Sequence, residues 1–74
     1  MTEMAALRLV RSLARSGSLA SIRTATDMTV TEAAKASGAS RRSIYRWERN
    51  QTVPHGAGAV RYGLLLDRVM RGER

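Results

Sequence analysis

Apolar residues recur along this chain at helical rather than strand spacing, and they do so in five separable segments. Over residues 3–16, Ala6, Leu7, Leu9, Val10, Leu13 and Ala14 make one broad apolar side, with Arg8, Arg11 and Arg15 in a tight stripe opposite. Ser16-Gly17-Ser18 breaks that helix. A short helix over 19–26 turns Leu19 and Ile22 inward, and Asp27-Met28 lead to a third over 30–37 with Val30, Ala33, Ala34 and Ser37 on one arc. The small Ala34 lets the next helix approach closely. That fourth helix, 41–49, points Ile44 and Trp47 to the core. The last, 57–71, carries Ala59, Tyr62, Leu66, Val69 and Met70 as a core stripe, while Val60 and Leu64 lie on the far side as a second apolar patch that needs a cover. There is no alternating strand pattern, internal repeat or low-complexity segment. The expectation is an all-α fold, a five-helix bundle forming one domain over 1–74, with 1–17 an extra amino-terminal helix.

The helix ends are written into the sequence. Thr29 and Glu32 have the spacing of a capping box, and Ser40 can cap the following helix. Gly38 sits where a helix ends in a left-handed residue, a conformation that costs a side chain with Cβ about 1 kcal/mol or more. Asn50 can take the same conformation after the fourth helix, and Val53-Pro54-His55-Gly56 reads as a loop. Two short helices joined by a glycine turn across 30–50 have the layout of a helix-turn-helix.

At about 100° per residue, Arg41, Arg42, Tyr45, Arg46 and Arg49 fall within an arc of roughly 140°, opposite Ile44 and Trp47. Arg41 and Arg42 occupy the first helical turn, where the macrodipole disfavours a cation by a few tenths of a kcal/mol. Folding does not select them; an external polyanion does. A guanidinium can bond guanine O6 and N7 together in the major groove, and it pairs equally well with phosphate. The pattern does not say which arginine does which. Trp47, beside Ile44, belongs to the core rather than to a stacking platform, whereas Tyr45 is either a groove contact or a partly exposed filler. The Arg8, Arg11 and Arg15 stripe is a solvated face or a second backbone contact, and His55 is a surface residue or a phosphate contact.

Charge strengthens the polyanion reading. Thirteen Lys and Arg, twelve of them Arg, against six Asp and Glu give +7 and a pI near 11.5, where nucleic-acid binders fall. The excess is +3 over residues 1–26 (four basic, one acidic), +2 over 27–51 (five, three) and +2 over 52–74 (four, two), so no detached basic tail accounts for it. Without cysteine there is neither a disulfide nor a thiolate, and a single histidine does not build a metal site. Ser37, Ser40 and Ser43 have no paired base or oxyanion arrangement, which argues against an enzyme. No cofactor, metal or small-molecule ligand is expected. No apolar run approaches the ~18 residues of a membrane span, and arginines at 8, 11 and 15 interrupt the only candidate signal core. A cytoplasmic protein is expected. The basic amphipathic start also fits an organelle transit peptide, but the helices from Ser18 onward belong to the fold.

From Leu19 to about Leu66 the chain resembles the lambda-repressor and Cro type of helix-turn-helix domain. The residues that carry the likeness are Leu19, Ile22 and Arg23, then Met28-Thr29, Ala34 and Gly38, then Ile44, Trp47-Glu48-Arg49-Asn50 and Pro54. The resemblance implies a structural pair between Arg23 and Glu48. It implies base contacts from Arg41, Arg42 and Arg46 with Ser40 and Tyr45 beside them, and a phosphate contact from Thr29; with the helix in the groove, Arg49 and Gln51 are expected to hold phosphates too. Three features depart from the family pattern: Asn50 in place of a common glycine, Val30 where a glutamine often supports the recognition helix, and one long closing helix with an extra amino-terminal one. The resemblance implies a sequence-specific regulator bound to a double-stranded operator, a small phage-type repressor of the Cro kind, as a monomer or a homodimer. Its size leaves no room for a ligand-sensing domain. The Val60 and Leu64 patch motivates an alternative, an antitoxin-like module that binds another polypeptide. A DNA-bending accessory factor in recombination is a third reading.

Overall fold

In the computed structural model, which describes residues 1–72, the chain forms five helices: α1 (Glu3–Arg15), α2 (Leu19–Ala25), α3 (Val30–Ser37), α4 (Arg41–Glu48) and α5 (Gly56–Met70). Residues 73 and 74, the end of the domain expected over 1–74, lie outside the described part. The element order is the one the apolar periodicity predicts, and no predicted boundary moves by more than one residue. Arg49 is one such residue: it is the C-cap of α4 rather than part of it.

Three helices begin on a hydroxyl that accepts a first-turn N–H: Thr2 from Ala5 at 3.0 Å, Thr29 from Glu32 at 3.1 Å and Ser40 from Ser43 at 3.0 Å. Each such cap is worth about 1 kcal/mol. Three helices end in the paired reverse bonds of a Schellman turn. After α1 the N–H groups of Gly17 and Ser18 reach back to Ala14 and Leu13; after α2 those of Asp27 and Met28 reach Thr24 and Arg23; after α4 those of Asn50 and Gln51 reach Trp47 and Arg46. The left-handed residue is a glycine only in the first; Asp27 (φ 60°) and Asn50 (φ 56°) take it in the others. Asp27 was not evident from the sequence, because the helix it ends is short and carries no glycine.

The core is built from Val10 and Ala14 of α1, Leu19 of α2, Val30 and Ala33 of α3, Ile44 and Trp47 of α4, and Ala59, Tyr62 and Leu66 of α5. Trp47 stacks on Tyr62 with centroids 6.2 Å apart at 27°. On α3 the fully buried small residues are Ala33 and Ser37, while Ala34, expected at the close approach, is half-buried at the edge.

The most extensive helix contact is α1 against α5. It is made possible by Gly63: a Cβ there would lie 2.1 Å from the Ala6 carbonyl oxygen. Ala6 lies against Gly63, and Arg11 Nε donates to the Pro54 carbonyl at 2.8 Å, so the two helices run antiparallel. Arg11 is therefore a tie between α1 and the loop before α5, not a member of a uniformly solvated stripe. Met70 is 52% exposed, contrary to its expected place in the core. It lies seven residues, about 10 Å at 1.5 Å per residue, beyond Gly63, whereas α1 starts only three residues before Ala6, so α5 overhangs its partner. Val60 and Leu64 are half-buried and stand outside the core cluster.

Candidate nucleic-acid interface

The turn between α3 and α4 is seated from several sides. Gly38 has φ 76° and donates to the Ala34 carbonyl at 2.8 Å, and the Ala39 N–H meets Ser37 Oγ at 3.2 Å. Gly58 brings the first turn of α5 so close that a Cβ there would lie 3.0 Å from Ala39 Cβ, and the Arg61 guanidinium covers Gly38. With Ile44 and Trp47 anchored inside, the rotation of α4 about its own axis is set. Its opposite flank faces solvent.

A second anchor holds the far end of α4. Arg23 Nε donates to Glu48 Oε2 at 2.5 Å and Nη2 donates to Oε1 at 3.1 Å, a two-pronged pair whose side chains are 12% and 7% exposed. The third nitrogen, Nη1, donates to the Met28 carbonyl at 3.0 Å. One guanidinium thus joins α2, the entry to α3 and α4, and the hydrogen bond to Glu48 holds it above its usual range against the opposing effect of burial. The only carboxylate of α4 is neutralised on the inner side.

What remains outside is cationic. Arg41, Arg42, Tyr45, Arg46 and Arg49, all exposed, rim one shallow depression together with Gln51. Gln51 reaches the rim because left-handed Asn50 folds the chain back onto the Arg46 carbonyl, to which the Gln51 N–H donates at 2.8 Å. Among the described residues the ion pairs are Arg23–Glu48 and Arg71–Asp67, so no described carboxylate pairs with the four arginines of this face. Arg49 Cζ lies 5.3 Å from the centre of the Tyr45 ring, a cation–π contact between residues four apart in sequence.

Tyr45 also borders a neighbouring depression lined by Arg23, Thr24, Asp27, Met28, Thr29, Val30 and Thr31, so the two hollows share a wall. Thr29 forms the full capping box: its hydroxyl accepts from the Glu32 N–H and its own N–H donates to Glu32 Oε1 at 2.9 Å. The Thr29 backbone bond, followed by the hydroxyl, holds the Glu32 carboxyl below its usual range. The Thr29 backbone and hydroxyl are thus both engaged with Glu32. At Ser40 the hydroxyl accepts from the Ser43 N–H and donates to Ser43 Oγ at 3.0 Å. Exposed Thr31 was not singled out in the sequence; its place two residues beyond the cap, on the side away from Val30, is the signal that points to it. His55 is exposed, is the N-cap residue of α5 without a side-chain cap bond, and places Nδ1 3.0 Å from the Val53 carbonyl.

The arrangement offers hydrogen-bond donors in excess of acceptors on a protruding helix, with hydroxyls beside it. That is chemistry for a polyanion. Among the described residues there is no cluster of side chains to hold a metal ion and no helix long and apolar enough to cross a membrane. Comparison with curated proteins and with solved structures finds no match. A family model described as helix-turn-helix matches residues 19–57, from the start of α2 through α3 and α4 to the first turn of α5. The match covers more than half of the chain and spans the cationic face and the Arg23–Glu48 pair that positions it. The chain belongs to the lambda-repressor and Cro type of helix-turn-helix family, whose members are DNA-binding regulators of transcription.

Proposed function

We propose that this protein is a sequence-specific regulator of the Cro kind, a small repressor that inserts α4 into the major groove of a double-stranded operator and excludes polymerase or a competing regulator. The observation that supports it best is the set of four guanidinium groups, without carboxylate partners among the described residues, on the one flank of α4 that the core leaves outside. In this reading Arg41, Arg42 and Arg46 address base edges, flanked by Ser40 and Tyr45. Thr29, Arg49 and Gln51 hold phosphates, and Arg23 and Glu48 keep the helix in register. The protein acts in the compartment that holds the DNA.

Selection of bound fragments from genomic DNA tests this. A palindromic site with half-sites about 34 Å apart indicates a homodimer, and an asymmetric site a monomer. Affinity for the selected site falls steeply with salt as several arginines displace counterions. Failure to retain any duplex at low ionic strength refutes the proposal. The half-buried Val60 and Leu64 favour the second reading, an antitoxin-like module, which a stable complex with the product of an adjacent gene would support.

A further inference from the structure

We propose that the face of α4 divides its arginines between two tasks: Arg41, Arg42 and Arg46 select guanines, and Tyr45 positions Arg49 to grip a phosphate at the rim of the groove. The inference rests on the DNA-binding reading above and adds the base identity and the division of labour.

Donor chemistry carries the first half. A guanidinium has five N–H donors and no acceptor. In the major groove adenine presents one acceptor and one donor, cytosine a donor and thymine one acceptor beside a methyl group; guanine alone presents two adjacent acceptors, O6 and N7. A carboxamide would suit adenine and a carboxylate cytosine, but the outward flank of α4 carries neither, because Glu48 is turned inward onto Arg23. Gln51 lies beyond the helix, on the loop. Arg41 and Arg46 are separated by about 7.5 Å along the axis at 1.5 Å per residue, which spans about two base-pair steps of 3.4 Å. The guanines therefore fall within about three consecutive base pairs, on either strand.

Position and contact carry the second half. Arg49 is the C-cap, about 12 Å along the axis from Arg41 and so beyond the two base-pair steps that Arg41 to Arg46 span. Because the amino-terminal residues of such a helix contact the base edges, Arg49 at its far end is left to the phosphates beside the groove. The Tyr45 ring, 5.3 Å from Arg49 Cζ, holds that guanidinium at the rim and out of the base-reading set.

Selection from random duplexes with the full chain, followed by base-analogue substitution in the selected site, tests both halves. The expected consensus holds guanines in one short run. Replacing a contacted guanine by 7-deazaguanine, which lacks N7, weakens binding by roughly 5- to 150-fold, while inosine, which keeps O6 and N7, leaves it unchanged. Arg42→Ala or Arg46→Ala loses the penalty at one position. Arg49→Ala and Tyr45→Leu weaken selected and random duplexes alike, keep the guanine penalty and lower the salt slope by about one unit, whereas Tyr45→Phe retains the ring and the wild-type slope. A consensus without guanines, or full affinity for 7-deazaguanine sites, overturns guanine selection and leaves DNA binding standing. A changed base preference in Arg49→Ala, or a wild-type salt slope in Tyr45→Leu, overturns the division of labour. No binding to any duplex at low salt overturns the proposal together with the reading it rests on.

Discussion

Tyr62→Phe isolates one atom at the centre of the fold. The Tyr62 side chain is 0% exposed, stacks on Trp47, and its hydroxyl has no hydrogen-bond partner among the described residues. Leaving a buried polar group unpaired costs about 1–3 kcal/mol, so removing the oxygen while keeping the ring should stabilise the protein by about 1 kcal/mol. In a domain of this size that raises Tm by about 4–8 °C. Burial first, then the Glu48 carboxylate, push the phenol from 10.0 up to about 12, with Arg23 opposing. The sign follows from proton counting: between pH 10 and 12 the unfolded chain has released this proton and the folded chain retains it. Stability is complete below pH 10 and falls as pH rises to 12, by about 3 kcal/mol in all. Urea titrations at pH 7 and at steps from 9.5 to 12, followed by Trp47 fluorescence and far-ultraviolet circular dichroism, measure both effects. The phenylalanine variant should be more stable at pH 7 and lack this alkaline loss. A less stable variant, or an unaltered alkaline limb, would show that the hydroxyl has a partner and that the argument from an orphaned oxygen is wrong.

Further substitutions probe the supports of the interface. Gly63→Ala places a methyl group 2.1 Å from the Ala6 carbonyl oxygen, so α1 must shift; a loss of about 3 kcal/mol or more and faster hydrogen exchange confined largely to α1 are expected. Arg23→Met orphans both the Glu48 carboxylate and the Met28 carbonyl, and should cost about 3–5 kcal/mol, more than Glu48→Gln, which keeps an acceptor; urea midpoints rank the two. Gly38→Ala puts Cβ on a residue at φ 76° and should cost about 1 kcal/mol in thermal melts, with its other close neighbour only the mobile tip of Arg61. Arg11→Met frees the Pro54 carbonyl and should increase proteolysis in the 52–55 loop while leaving the DNA preference of α4 unaltered.

Fold and site were legible in the sequence to different depths. Helix ends at Thr29, Gly38, Ser40 and Asn50 are local chemistry: a hydroxyl three residues from an N–H, or a residue tolerant of positive φ, acts whatever the rest of the chain does. The arginine arc is local too, since a helix repeats every 3.6 residues and Ile44 and Trp47 mark its buried side. Contacts between elements are not encoded in that way. Nothing in the run from Arg8 to Arg15 distinguishes Arg11, which binds the Pro54 carbonyl, from its neighbours, and the apolar period that includes Met70 ignores where α1 begins.

By itself, then, the chain determined five helices, the caps at Thr29, Gly38, Ser40 and Asn50, a glycine-turned motif and a cationic flank, because each depends on residues within about two turns of one another. Only the tertiary structure decided that Gly63 admits α1 against α5, that Tyr62 meets Trp47 with a hydroxyl unpartnered among the described residues, and that Arg11 ties α1 to the Pro54 carbonyl. Those outcomes depend on how side chains of different helices share space, a quantity that exists only once close packing has brought distant residues together.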